Sequence, residues 1–164
     1  MADDAPNPHT ARFSALTKAL LDNVKRANFP PVYTLPIEQA RQAYKASVGA
    51  MELPRAQVAR VHDFAIPGPA GHMQARLWAD SHEPDLPVLL YLHGGGFVIG
   101  DIDTCEAMCR SVAKQSGAAV VAVNYRLAPE HKYPAGLQDA WAAFQWLAEH
   151  AHTRNVIRWC HAFR

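Results

Sequence analysis

His93-Gly94-Gly95-Gly96 is the part of this 164-residue sequence whose residue types and spacing could do chemistry. The apolar run Val88-Leu89-Leu90-Tyr91-Leu92 comes directly before it and reads as a strand buried on both faces, of the kind found in parallel sheets. A glycine loop leaving the carboxyl edge of such a strand lies where open α/β folds bind ligands. Free of side chains and able to take positive φ, its backbone N–H groups can approach a ligand closely. Aimed at the oxygen of a tetrahedral acyl-transfer intermediate, each such donor stabilises the developing charge by about 3–4 kcal/mol. Two other readings stay open on these residues alone. Gly94, Gly96 and Gly100 also fit a G-x-G-x-x-x-G nucleotide turn, although the next strand ends in Asn124-Tyr125-Arg126 and not in the acidic residue that holds a ribose. The loop could also serve only to let a strand and a helix pack. His93, at the strand end, is read as a structural residue whose imidazole holds the loop by hydrogen bonds and does not transfer protons.

The elements that must position this loop follow from periodicity. Apolar residues at Phe13, Leu16, Leu20 and Val24 predict an amphipathic helix over residues 10 to about 26, stopped by Phe29-Pro30-Pro31. A second helix is expected over 37–51, fenced by Pro36 and Pro54. Alternation through Val58, Arg60, His62 and Phe64, a turn at residues 67–71 and a short run over 72–78 predict a β-hairpin. After the strand at 88–92, residues 104–116 are helical in pattern and Gly117 is a natural stop. Residues 118–123 form a second doubly buried strand, and 137 to about 150 a further helix. Strand, helix, strand, helix defines a βαβ unit and the α/β class.

The net charge of +1, with both signs interspersed, offers no basic face to nucleic acid. No apolar run approaches the ~20 residues a membrane span needs. The start, Met1-Ala2-Asp3-Asp4, has no signal-peptide pattern, so a cytoplasmic protein is expected. The three cysteines are read as reduced thiols, with Cys105 and Cys109 packing as small hydrophobes on one helix face at i, i+4. His150, His152, Cys160 and His161 have neither the spacing nor the partners of a zinc set, so no metal and no cofactor are expected.

Three segments together carry a resemblance: Leu92-His93-Gly94-Gly95-Gly96-Phe97, then Asn124-Tyr125-Arg126-Leu127-Ala128-Pro129-Glu130, then Tyr133-Pro134-Ala135-Gly136-Leu137-Gln138-Asp139-Ala140. At these spacings the sequence resembles the bacterial hormone-sensitive-lipase-like esterases of the α/β-hydrolase fold-3 group, over residues 10 to 150. The resemblance implies a carboxylic ester hydrolase acting on small-molecule esters, with a helical cap segment over residues 1–54 and the N-terminal half of the hydrolase domain over 55–151. It implies that Gly95 and Gly96 supply oxyanion N–H groups, that Gly94 shapes the turn within that hole, and that Phe97 and Val98 lie near the acyl site. Arg126, Glu130 and Asp139 are expected to form a structural network beneath the loop. Ala128-Pro129 and Tyr133-Pro134 are candidates for cis bonds.

The same family requires a G-x-S-x-G elbow, followed by an acid and then a histidine. The five serines, Ser14, Ser47, Ser81, Ser111 and Ser116, stand in no such setting. Past about residue 151 the resemblance ends, and residues 152–164 are expected to be an unrelated tail, as from a reading frame interrupted near codons 151–153. The expectation is therefore a truncated α/β-hydrolase fold without its triad, inactive by itself. A non-catalytic acyl-binding or interaction module stays open as the alternative.

Overall fold

The computed structural model describes residues 13–27, 30–51, 54–83 and 85–150. The expected tail at 152–164, with His152, Cys160 and His161, lies outside the described residues, as do positions 10–12 of the first expected helix. The chain divides into two compact units between Leu35 and Pro36. The first holds α1, Ala15–Ala27, and a short 3-10 turn, Val32–Thr34. Ser14 caps α1, its hydroxyl accepting from the Thr17 amide at 3.2 Å, and Lys25 and Arg26 close its last turn, where cations suit the helix dipole. Phe13, Leu20 and Val24, on the predicted apolar face, are exposed.

The second unit begins with α2, Ile37–Met51, at the expected bounds. It continues with β1, Arg60–Gly68, β2, Gly71–Ala79, β3, Val88–Tyr91, α3, Glu106–Ser116, β4, Ala119–Val123, and α4, Ala135–His150. A 3-10 turn, Asp103–Cys105, leads into α3, and Gly117 ends that helix in the left-handed conformation at φ 69°. The hairpin strands run further into the turn than alternation indicates, pairing from Arg60↔Ala79 down to Gly68↔Gly71. Pro67 is tolerated inside β1 because β1 is an edge strand among the described residues, where a missing N–H need not break a ladder. Both Ala128-Pro129 and Tyr133-Pro134 are cis.

The sheet order is β1-β2-β4-β3, with β1–β2 and β2–β4 antiparallel and β4–β3 parallel. Period-two alternation along β4 builds one core on each face. Ala119, Val121 and Val123 join Ile66, Met73, Ala143 and Leu147 in a core beneath α4. Val120 and Ala122 join Trp78, Ile102, Cys105, Cys109 and Ala113 beneath α3. Every residue of β4 is buried, as its apolar run predicts. Burial of β3 on both faces is not found: Leu89 is 40% exposed, because β3 is the outer strand among the described residues. Cys105 and Cys109 are buried free thiols. Among the described residues no helix is long and apolar enough to cross a membrane.

Candidate active site

Since β3 and β4 run parallel, the segments after them, from Leu92 and from Asn124, emerge at the same sheet edge. The glycine loop turns sharply there. Gly95 and Gly96 take φ of +130° and +62°, and the turn is closed by the amides of Val98 and Ile99, which both donate to the Gly95 carbonyl at 3.1 Å. A side chain at Gly95 would put its Cβ 1.9 Å from the Ile99 carbonyl oxygen. Phe97 also stands in the left-handed region, at φ 62°, a conformation costing an aromatic residue about 1–2 kcal/mol. Its carbonyl is held by the Ala128 amide at 2.8 Å, which ties the glycine loop to the loop after β4. Among the described residues, no group accepts a hydrogen bond from the amides of Gly94, Gly95 or Gly96.

His93 is 5% exposed and lies beneath this turn. Its Nδ1 is 3.0 Å from the Gly94 carbonyl, so Nδ1 carries the proton and donates it, and burial pushes the imidazole below its ordinary 6.5. The ring stacks on Tyr125 with centroids 4.4 Å apart, and the Tyr125 hydroxyl donates to the His93 carbonyl. Burial raises the Tyr125 phenol, which therefore keeps the proton it donates. Gly100, at φ +95°, must lack a side chain, since a Cβ would come within 2.6 Å of His93 Nδ1. His93 is thus a neutral, doubly anchored support.

Two cavities meet at His93. One, about 330 Å³, has the backbone of residues 93–97 as a wall, and Leu92, Phe97, Tyr125, Leu137 and Ala140 make it largely apolar. Val98 does not line it; its carbonyl turns the other way and accepts from Arg41 Nε at 3.0 Å. The other cavity, about 530 Å³, lies between α2 and the two loops, with the charged and polar residues Arg41, Lys45, Asp101, Asn124 and Glu130 on its walls.

The three residues expected to form one network form two. Arg126 grips Asp139 in a fork, Nε to Oδ2 and Nη2 to Oδ1 both at 2.8 Å, and the Arg126 amide adds a third bond to Oδ2. Asp139 is 1% exposed, so this clamp fixes the start of α4 to the chain leaving β4. Glu130 pairs instead with Arg41 of α2, Nη1 to Oε1 at 2.9 Å and Nη2 to Oε2 at 2.7 Å. That fork lowers the Glu130 carboxyl to about 2. Arg41, Asn124 and Tyr125 are further supports, and nothing in their local sequence spacing marks them as such. Asn124 Oδ1 accepts from the Ile102 amide at 2.8 Å and its amide donates to Gln74 at 3.0 Å, bracing the far end of the glycine loop against β2. Only the run Asn124-Tyr125-Arg126 itself hinted at these supports, since the partners are distant in sequence.

All five serines are described, and each is engaged locally. Ser14 caps α1, Ser47 donates to the Tyr44 carbonyl, Ser81 accepts from the Glu83 amide, Ser111 bonds Gln115, and Ser116 donates to the Val112 carbonyl. None lines either cavity.

A parallel strand pair flanked by helices on both faces, with an amide-rich turn at its carboxyl edge, is an α/β arrangement with its candidate site where such folds bind ligands. Residues 89–160 match the family described as alpha/beta hydrolase fold, a match that runs past residue 151, where the motif resemblance stops. The chain is 50% identical over 120 residues to Esterase LipI of Mycobacterium tuberculosis, covering 70% of this chain and 36% of that protein. It is 30% identical over 154 residues to an ethyl acetate hydrolase of Pseudomonas putida, covering 92% of this chain and 48% of the relative. Among solved structures, the hyperthermophilic esterase of Pyrobaculum calidifontis superposes with a TM-score of 0.80 at 33% identity, over 88% of this chain and 46% of that one. The chain therefore has the α/β-hydrolase fold and is similar, over most of its own length, to esterases and carboxylic ester hydrolases, in keeping with the hormone-sensitive-lipase-like resemblance of its motifs. It spans about a third to a half of the length of these relatives.

Proposed function

We propose that this chain supplies the oxyanion-binding loop of a serine carboxylic ester hydrolase that works through an acyl-enzyme and acts on small-molecule esters. The observation that carries this reading is the pair of amides at Gly95 and Gly96, without acceptors among the described residues, in the wall of a 330 Å³ apolar cavity. Such amides are oriented before reaction, so charge developing on a carbonyl oxygen meets donors that need not reorganise, an effect of about 3–4 kcal/mol per donor. Phe97, Leu137 and Ala140 give the acyl group an apolar surface, and the neutral His93 beneath the turn adds no competing charge. The ester and lipase names of the relatives, ethyl acetate hydrolase among them, support a short acyl ester as substrate.

With every serine occupied inside its own helix or turn, the nucleophile does not come from the described residues. The 164-residue chain alone is accordingly expected not to turn over p-nitrophenyl butyrate. Turnover that a serine-reactive phosphonate abolishes would overturn that part of the proposal. The oxyanion reading is tested separately by titrating butyrate, an anionic product analogue, into the isotopically labelled chain. The Gly95 and Gly96 amide resonances should move and those of α3 should not; an unmoved Gly95 and Gly96 would rule the reading out.

A further inference from the structure

We infer that Arg41 is a positioning residue for the oxyanion loop, a single side chain through which α2 fixes the orientation of the Gly95 and Gly96 amides. The inference rests on the oxyanion reading for its consequence, but its geometry stands independently. Arg41 Nε donates to the Val98 carbonyl at 3.0 Å, and Nη2 to the Ala128 carbonyl at 3.1 Å. Those two carbonyls belong to the two loops that meet at the sheet edge, and the Ala128 amide in turn donates to the Phe97 carbonyl. The three contacts close a triangle between α2 and both loops. The remaining guanidinium hydrogens grip Glu130 in a fork and reach Glu38 at 3.3 Å, so the cation is itself oriented by carboxylates on both sides.

The triangle bears on the oxyanion amides through Phe97. Its φ of 62° is unfavourable for an aromatic residue, and the loop relaxes if that torsion returns to negative values. With the carbonyls of Phe97 and Val98 pinned on one side of that bond, and the Gly95 carbonyl tied on the other to the amides of Val98 and Ile99, the rotation has no free side to swing while Arg41 holds Val98 in place. Arg41 thus opposes the motion that would turn those amides away. Lysine cannot replace it, because one ammonium is a compact point charge, whereas the planar guanidinium presents donors in a fixed fork. Lys45 provides a control. It sits one turn further along α2 and pairs with Asp101 and Asp103 at 2.9 and 2.7 Å, touching neither Val98 nor Ala128.

The test uses the full 164-residue chain and compares Arg41→Ala, Arg41→Lys and Lys45→Ala by amide hydrogen exchange and by the butyrate titration. The Val98, Ile99 and Ala128 amides should exchange about tenfold faster or more in both Arg41 variants, and be nearly unchanged in Lys45→Ala. The butyrate response at Gly95 and Gly96 should need about tenfold more ligand in Arg41→Lys than in the parent chain, the expected consequence of losing charge-assisted hydrogen bonds. Arg41→Lys keeps the cation and most of the stem, so it decides the matter should Arg41→Ala not fold. Equal exchange in Arg41→Lys and Lys45→Ala would overturn the inference, as would faster exchange with an unaltered butyrate response. A parent chain whose Gly95 and Gly96 ignore butyrate would overturn the oxyanion reading, while the exchange comparison would still decide what Arg41 holds.

Discussion

Alanine at each glycine of the loop separates the two reasons for glycine there, backbone torsion and close approach. At Gly94 neither applies, since φ is ordinary and the space where a Cβ would stand is open. At Gly96 only torsion applies: φ is +62° and nothing lies within 4 Å of an added Cβ. At Gly95 both apply, with φ +130° and a Cβ 1.9 Å from the Ile99 oxygen and 2.6 Å from its carbonyl carbon. Relief at Gly95 requires opening the turn, which breaks the Val98 and Ile99 amide bonds to the Gly95 carbonyl. Two net hydrogen bonds at ~0.5–1.5 kcal/mol each, with ~1–3 kcal/mol of backbone strain, give a loss of about 2–6 kcal/mol for Gly95→Ala. Gly96→Ala should lose about 1–2 kcal/mol from the left-handed torsion alone, and Gly94→Ala less than about 0.5 kcal/mol. Urea unfolding followed by tryptophan fluorescence and circular dichroism measures all three, provided the two signals coincide. If Gly95→Ala unfolds at the same urea concentration as Gly96→Ala, the steric argument for the loop is wrong.

Three further outcomes are expected. Burial lowers the His93 imidazole below 6.5, so folding excludes its proton; stability should be complete above pH 6.5 and fall as the pH drops below it, and His93→Gln should remove that share of the acid slope in pH-dependent melts. The Arg41 fork holds Glu130 near 2 against an ordinary 4.5, so its stabilisation is complete above 4.5 and lost as the pH falls towards 2; the Glu130 carboxyl carbon resonance should titrate near 2 in the parent chain and close to 4.5 in Arg41→Ala. Cys109 is raised by the hydrogen bond its thiol makes with Cys105 and by burial, and both thiols are buried; peptide mass spectrometry after iodoacetamide should find Cys105 and Cys109 unmodified in the folded chain and alkylated in guanidinium.

What could be read from the sequence was whatever repeats locally. Spacings of three and four between Pro36 and Pro54 mark the bounds of α2, Gly117 marks the end of α3, and the unbroken apolar run over 119–123 marks β4, all five of whose residues are buried. The same kind of run misled at β3, because apolar composition reports what a strand is suited to touch and not which neighbours the described residues supply; Leu89 is consequently 40% exposed. The glycine loop was legible as a turn with free amides, since only glycine tolerates the torsion and close approach at position 95. Its supports were not legible. Arg41 reaches across 57 residues to Val98 and 89 to Glu130, and Asn124 across 22 to Ile102. No period or spacing marks one arginine of an exposed helix as the holder of two remote carbonyls. The family resemblance groups Glu130 with Arg126 and Asp139 in one network, whereas geometry gives each acid its own arginine. That division matters for the chemistry: the Asp139 clamp is internal to the sheet-bearing half and secures α4, while the Glu130 clasp makes the glycine loop answerable to α2. A site whose amides are fixed by a helix from before the sheet acquires its geometry only when that helix docks, so oxyanion binding and α2 docking should rise and fall together.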